Sequence, residues 1–198
     1  SKKIAEGAGA LVYDVKCGSG AFMKTREDAV HLAHRLISVT RSLGRRAAAR
    51  VTDMNQPLGV AVGNALEVEE AIAVLRGGGP ADVRALTLEL AALMLSLSGA
   101  ASAAEAPKRV EQALDSGAAW ERFIELVRAQ GGDPAHLERA GGMRKTPVVV
   151  PVLAKSAGVL EAVDSFALGE LVVGIGGGRR AKEDPVDPRV GLMVRRRI

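Results

Sequence analysis

Near the start of the chain, an apolar run at Ala10–Val15, an amphipathic helix pattern at Thr25–Gly44 and a second strand-like run at Ala47–Thr52 follow one another. That order constrains the fold more than any other feature. Two strands joined by a helix imply a right-handed crossover and neighbouring places in a parallel sheet. Within ALVYDV, apolar residues lead to a polar tip, as in a buried parallel strand that delivers Asp14 and Lys16 to a crevice. Gly18 and Gly20 then turn the chain. Thr25, with Asp28 three residues on, reads as a capping box with Asp in place of Glu. Ala29, Leu32, Ala33, Leu36, Ile37 and Leu43 follow at helical spacing until Gly44, which predicts a helix of about five turns.

The connection Thr52–Asn64 leaves the carboxyl end of the second strand. Ligands of open α/β sheets collect there, and loops rather than cores carry such sites. Asn64 is expected to cap a helix through Arg76, closed by Gly77–Gly79. Pro80 opens the next helix, whose Val83, Leu86, Leu90, Leu93, Met94 and Leu97 form a stripe expected in the core. Ser102 and Glu105 make a full capping box for a helix to Leu114, and Ala118–Gln130 carries Trp120, Phe123, Ile124 and Val127. From about Gly141 the character changes. Val148–Leu153, Gly158–Val163 and Leu171–Ile175 are rich in β-branched residues and separated by glycine-bearing turns, which predicts strands. The expected fold is α/β, with a parallel or mixed sheet and flanking helices, followed by the start of an α+β C-terminal domain.

Composition narrows the function. A net charge of +4, from 27 Lys+Arg against 23 Asp+Glu, with only Arg195–Arg197 clustered and 3% aromatic residues, argues against nucleic acid as partner. Small anionic ligands remain compatible. The one cysteine, Cys17, excludes an intramolecular disulfide, and zinc has no ligand set, so a reducing, cytoplasmic setting is expected. No run approaches the roughly 18 apolar residues that span a bilayer, and no signal-peptide pattern opens the chain, so no membrane partner is expected. The chain opens at Ser1 within a helical pattern and stops at Ile198 within a strand-like one, which reads as an internal fragment; the alternative is a small protein trimmed of its initiator methionine. Gly18-Ser19-Gly20 lacks the rest of a dinucleotide fingerprint, and the run from Gly176 to Arg180 lacks the Lys-Ser/Thr pair of a phosphate loop. His31, His34 and His136 suit a helix surface.

Three stretches carry a resemblance: SKKIAEG at Ser1–Gly7, DVKCGSGAFMKT at Asp14–Thr25, and TDMNQPLGVAVGNALEVEEA at Thr52–Ala71. Together they resemble the pyrimidine nucleoside phosphorylases, the family that includes thymidine phosphorylase. The stretch SAGVLEAVDSFALGELVVGIGGGRRAKEDPVDPRVG is similar to that family's C-terminal domain. The resemblance implies residues 1–8 as the end of a helical lid and hinge, 9–143 as part of the central α/β domain, and 144–198 as a truncated α+β domain. It implies phosphorolysis of thymidine or uridine to free base and pentose 1-phosphate, with pyrimidine nucleoside and phosphate as partners and a homodimer formed through the lid. Lys2 is the implied catalytic and substrate-binding residue, against a plain reading as an exposed helix lysine. Leu58, Ala61 and Glu70 are the implied potassium ligands, the first two through backbone carbonyls, and no organic cofactor is implied.

Glu67 and Glu70 lie three apart and share a helix face, so either could reach inward; a solvated acidic first turn is the plain alternative. Asp14 and Lys16 read best as a buried pair supporting a turn. The family's phosphate-holding residues are expected upstream of Ser1, leaving only part of the active site here. A non-catalytic folding or interaction module, a related phosphoribosyltransferase and an AMP-type phosphorylase are the competing readings.

Overall fold

The 198-residue chain is described by a computed structural model covering residues 2–138 and 146–196, with Lys2 described in its backbone alone. After a short helix α1 (Lys2–Ala5), β1 (Ala10–Cys17) and β2 (Arg46–Asp53) pair in parallel, in register from Ala10↔Arg46 to Cys17↔Asp53. Helix α2 (Arg26–Ser42) makes the crossover between them. Its cap is Thr25, in extended conformation, whose Oγ1 accepts the Asp28 amide at 3.2 Å. The reciprocal half of the box is absent. The Asp28 carboxylate, a methylene shorter than glutamate, accepts the Thr25 hydroxyl at 2.7 Å instead.

The core lies between α2 and β1. Ala29 and Ala33 pack on Val15, with Tyr13, Leu32, Leu36, Ala49 and Val51 around them. Small residues on the helix face let the two backbones approach closely. Buried Thr40 satisfies its hydroxyl with the Tyr13 hydroxyl at 2.6 Å, as a polar group inside a core must.

The helices α3 (Asn64–Leu75), α4 (Ala81–Ser98), α5 (Ala106–Asp115) and α6 (Ala118–Ala129) follow, then the short α7 (Ala135–Glu138). Two expectations are corrected here. Gly63, at φ +140°, is the N-cap of α3, and the Asn64 side chain instead donates to the Gly177 carbonyl at 3.2 Å. The α4 stripe is not core: none of its residues is buried, Leu86, Leu90, Leu93 and Leu97 are half-buried, and Met94 is 54% exposed. A sheet of two strands is too narrow to cover a five-turn helix. The Ser102–Glu105 box closes as expected, the Glu105 carboxylate accepting the Ser102 amide and the Ser102 hydroxyl accepting the Glu105 amide, each at 3.2 Å. It forms a turn just ahead of α5.

The strands expected in the last third are also corrected. Val148–Leu153 and Gly158–Val163 form no strand or helix, leaving Val149, Val152 and Val159 at 85%, 95% and 90% exposure. Leu171–Ile175 is helical, divided between α8 (Ser165–Val172) and a wide turn at Val173–Gly177 broken by Gly176 at φ +95°. Asp164 starts α8 by accepting the Ala167 amide at 2.9 Å, and this cap outweighs a β-branched pattern that has no strand beside it. The second sheet is antiparallel and joins distant parts of the chain: β3 (Ala61–Val62) pairs with β4 (Leu192–Met193).

Candidate active site

The carboxyl tips of β1 and β2 feed two loops that hold each other. The Met54 amide donates to the Cys17 carbonyl at 2.7 Å, the Gly20 amide to the Met54 carbonyl at 3.0 Å, and the Ser19 amide to Asn55 Oδ1 at 3.1 Å. Asn55 is oriented in turn by Asp53, whose carboxylate accepts both its backbone and side-chain N–H groups. Gly18 is required where the loops cross, since a Cβ there would lie 2.7 Å from the Asn55 amide nitrogen. Lys24 closes the first loop by donating to the Ser19 carbonyl at 2.8 Å, with its ammonium 5.9 Å from the Phe166 ring centroid. A cleft of about 390 Å³ opens beside β1, lined by Tyr13, Lys16, Phe22, Met23 and Leu36 among others. At its rim Lys16 and Asp14 pair at 2.7 Å, and Asp14 also accepts the Thr52 hydroxyl.

Further along the second loop, carboxylates bind the backbone from residue 59 to residue 63. Glu70 Oε1 accepts the Val60 and Ala61 amides at 2.8 and 3.1 Å, Asp82 accepts Gly59 at 2.9 Å, and Glu67 accepts Gly63 at 3.0 Å. Gly59 adopts φ +71°, and a Cβ on it would sit 1.8 Å from Glu70 Oε2, so only glycine lets the carboxylate lie against the loop. The β3–β4 register orients the opposite edge. The Val194 amide donates to the Val60 carbonyl at 2.7 Å, which makes Ala61↔Met193 a non-hydrogen-bonded pair. Both backbone groups of Ala61 therefore point away from β4, on the side where Glu70 lies.

Residues 1–120 match the family model of the glycosyl transferase family a/b domain, and residues 159–198 match that of the pyrimidine nucleoside phosphorylase C-terminal domain. The chain belongs to the pyrimidine nucleoside phosphorylase family. Among its relatives, the pyrimidine-nucleoside phosphorylases of Bacillus subtilis strain 168 and Staphylococcus aureus strain USA300 are each 42% identical over 199 residues. That similarity covers 100% of this chain and 46% of each relative, so the chain spans about half the length of the curated relatives it matches. In this chain the two matched regions meet at the carboxylate-held loop, since β3 belongs to the first and β4 to the second.

Of the residues singled out from the pyrimidine nucleoside phosphorylase resemblance, Lys2 opens α1, and its side chain lies outside the described residues. Glu70 is brought against the loop that carries Leu58 and Ala61. Glu67 also reaches the loop, at Gly63. The Asp14–Lys16 pair corrects one expectation: it is half-exposed at the cleft rim rather than buried. Sequence reasoning missed Asp82 and Gly59. The only signal for Asp82 was an acid in the first turn after Pro80, which the helix dipole alone would favour. His31 and His34 lie exposed on α2, and His136 pairs with Asp133 at 2.9 Å. Among the described residues no group of three or more His, Cys, Asp or Glu side chains could hold a metal ion, and no helix is long and apolar enough to cross a membrane.

Proposed function

We propose that this chain carries part of the active site of an enzyme that phosphorolyses pyrimidine nucleosides, thymidine or uridine, to free base and pentose 1-phosphate. The observation that carries this reading is the 42% identity, running the whole length of the chain, to pyrimidine-nucleoside phosphorylases. In the reaction a phosphate oxygen forms a bond to the anomeric carbon while the bond from that carbon to the pyrimidine nitrogen breaks, and its electron pair leaves with the base. In this reading Lys2 lies at the departing base, where an ammonium stabilises the negative charge that gathers there. A hydrogen bond to a charged group is worth about 1.5–3 kcal/mol, or about one to two decades in rate. A homodimer and a cytoplasmic setting belong to the same reading.

Potassium at Leu58, Ala61 and Glu70 completes the proposal, and the loop fits such an ion. Hard cations take oxygen ligands, and the Ala61 backbone turns its carbonyl edge toward the side where Glu70 lies. Two of the roughly four acceptor positions of the Glu70 carboxylate are used by amides. A bound cation would neutralise Glu70 and brace the loop between the strand tip and α3. Lys2→Ala in the full-length protein is expected to lower thymidine phosphorolysis at least about tenfold, measured as kcat/KM. Unchanged kinetics would remove Lys2 from the site, and turnover of purine or anthranilate substrates would favour the AMP-type phosphorylase or phosphoribosyltransferase reading.

A further inference from the structure

The loop that carries Ala61 is gripped from the far end of the chain. Residues 186–194 run back across it as a strap. β4 pairs with β3, Val194 bonds Val60, and the Pro188 carbonyl accepts the Ala65 amide at 2.9 Å. The backbones nearly touch where they cross: a Cβ on Gly191 would lie 2.4 Å from the Val62 carbonyl oxygen, and one on Gly63 would lie 2.6 Å from the Val190 carbonyl oxygen. Only a glycine on each side permits that approach. The bend leading into the strap is fixed by its own ion pair, with the Arg189 guanidinium forked onto Asp187 at 2.6 to 3.1 Å. The Asp187 amide anchors the bend to the Gly176 carbonyl at 2.9 Å.

This grip decides which way the Ala61 edge faces. With Val60 bonded to the strap through its carbonyl, Ala61 is left with both backbone groups on the Glu70 side. We infer that the strap 186–194, with Gly191 at its crossing and Arg189 at its bend, is a positioning element for monovalent-cation binding at the Leu58–Ala61 loop. The inference rests on the proposed reading of that loop as a potassium site. Neither Gly191 nor Arg189 touches the ion in this scheme; both act through the β3–β4 pairing that aims the Ala61 carbonyl. A cation site built on one side from the α3 carboxylate and on the other from a strand edge held by the strap also binds its ion only when the two matched regions are docked.

The test is potassium affinity in the full-length protein, read from the rise in Tm with KCl against choline chloride at equal ionic strength. Thallium-205 NMR supplies a direct signal for the bound ion. Gly191→Ala is expected to raise the half-saturating potassium concentration at least about tenfold, and Arg189→Gln to raise it by a smaller factor. Gly169→Ala serves as control, because a Cβ at that position in α8 meets nothing within 4 Å. If folded Gly191→Ala and Arg189→Gln variants titrate with potassium as the unmodified protein does, the positioning role is overturned. An equal shift in Gly169→Ala overturns it as well, since the effect would then be unspecific. Should Gly191→Ala not fold, the titration of Arg189→Gln decides. A full-length protein that shows no potassium-specific stabilisation and no thallium signal overturns the cation reading itself, a result distinct from the other two.

Discussion

Gly59 and Gly44 adopt almost the same left-handed conformation, at φ +71° and +70°, but meet different surroundings. A Cβ at Gly44 enters open space, whereas one at Gly59 collides with Glu70 Oε2 at 1.8 Å and Val83 Cγ2 at 2.8 Å. Gly44→Ala should cost only the left-handed backbone penalty of about 1–2 kcal/mol, while Gly59→Ala adds the displacement of a carboxylate from two amides, a further ~2 kcal/mol. Urea denaturation of the two variants measures the difference. At the strap, the Arg189 side chain and amide hold the Asp187 carboxyl down at about 2, from an ordinary value of 3.8. The sign follows directly: a carboxyl depressed in the folded state stabilises above its unfolded pKa, and this contribution is lost as pH falls through the folded one. The Asp187–Arg189 fork should therefore begin to lose its contribution as pH falls to about 3.8, lose most of it by about pH 2, and lose the remainder below that. Carbon-13 NMR of the Asp187 carboxyl should place its midpoint near 2 and show it rising toward 3.8 in Arg189→Gln.

At the scale of elements, the crossover from β1 through α2 to β2 was legible because every signal in it is local. Thr25 ahead of an apolar helical stripe, and polar tips on two apolar runs, need no knowledge of distant residues. Thr25→Ala should remove the only side-chain cap of α2 and cost about 1 kcal/mol, measured as a fall in Tm. The helices α5 and α6 were legible for the same reason. Leu171–Ile175 was not, since its β-branched residues fit a strand or a helix equally well and the Asp164 cap with its neighbours decided for helix. For α4 the pattern gave an apolar stripe correctly, but burial depends on what lies opposite, and β1 and β2 cover it only in part.

Across the whole molecule, the tie between the two matched regions includes, among the described residues, β3–β4, the Pro188–Ala65 and Asn64–Gly177 bonds, the Ser19 hydroxyl on the Val163 carbonyl at 3.3 Å and the Lys24 ammonium facing the Phe166 ring. Between residue 146 and Asp164 the backbone belongs to no helix or ladder, and Val148, Val149, Val150, Val152 and Val159 are exposed. Limited trypsin digestion of this chain should cut first at Lys155, in that exposed stretch, leaving the α2–β1 core intact; mass spectrometry of the first fragments checks it. The carboxylates of Glu67, Glu70 and Asp82 converge on one loop from two helices, and the strap reaches it from more than a hundred residues further along. By itself the sequence determined the α/β crossover, the Thr25 cap of α2, the location of the loop at a strand's carboxyl end and the family, because each of these is written in neighbouring residues and short motifs. Only the tertiary structure decided which carboxylates hold the loop, which edge Ala61 turns toward Glu70, and that β4 sets that edge, because such contacts join residues distant in the chain and depend on backbones close enough to need Gly59, Gly63 and Gly191.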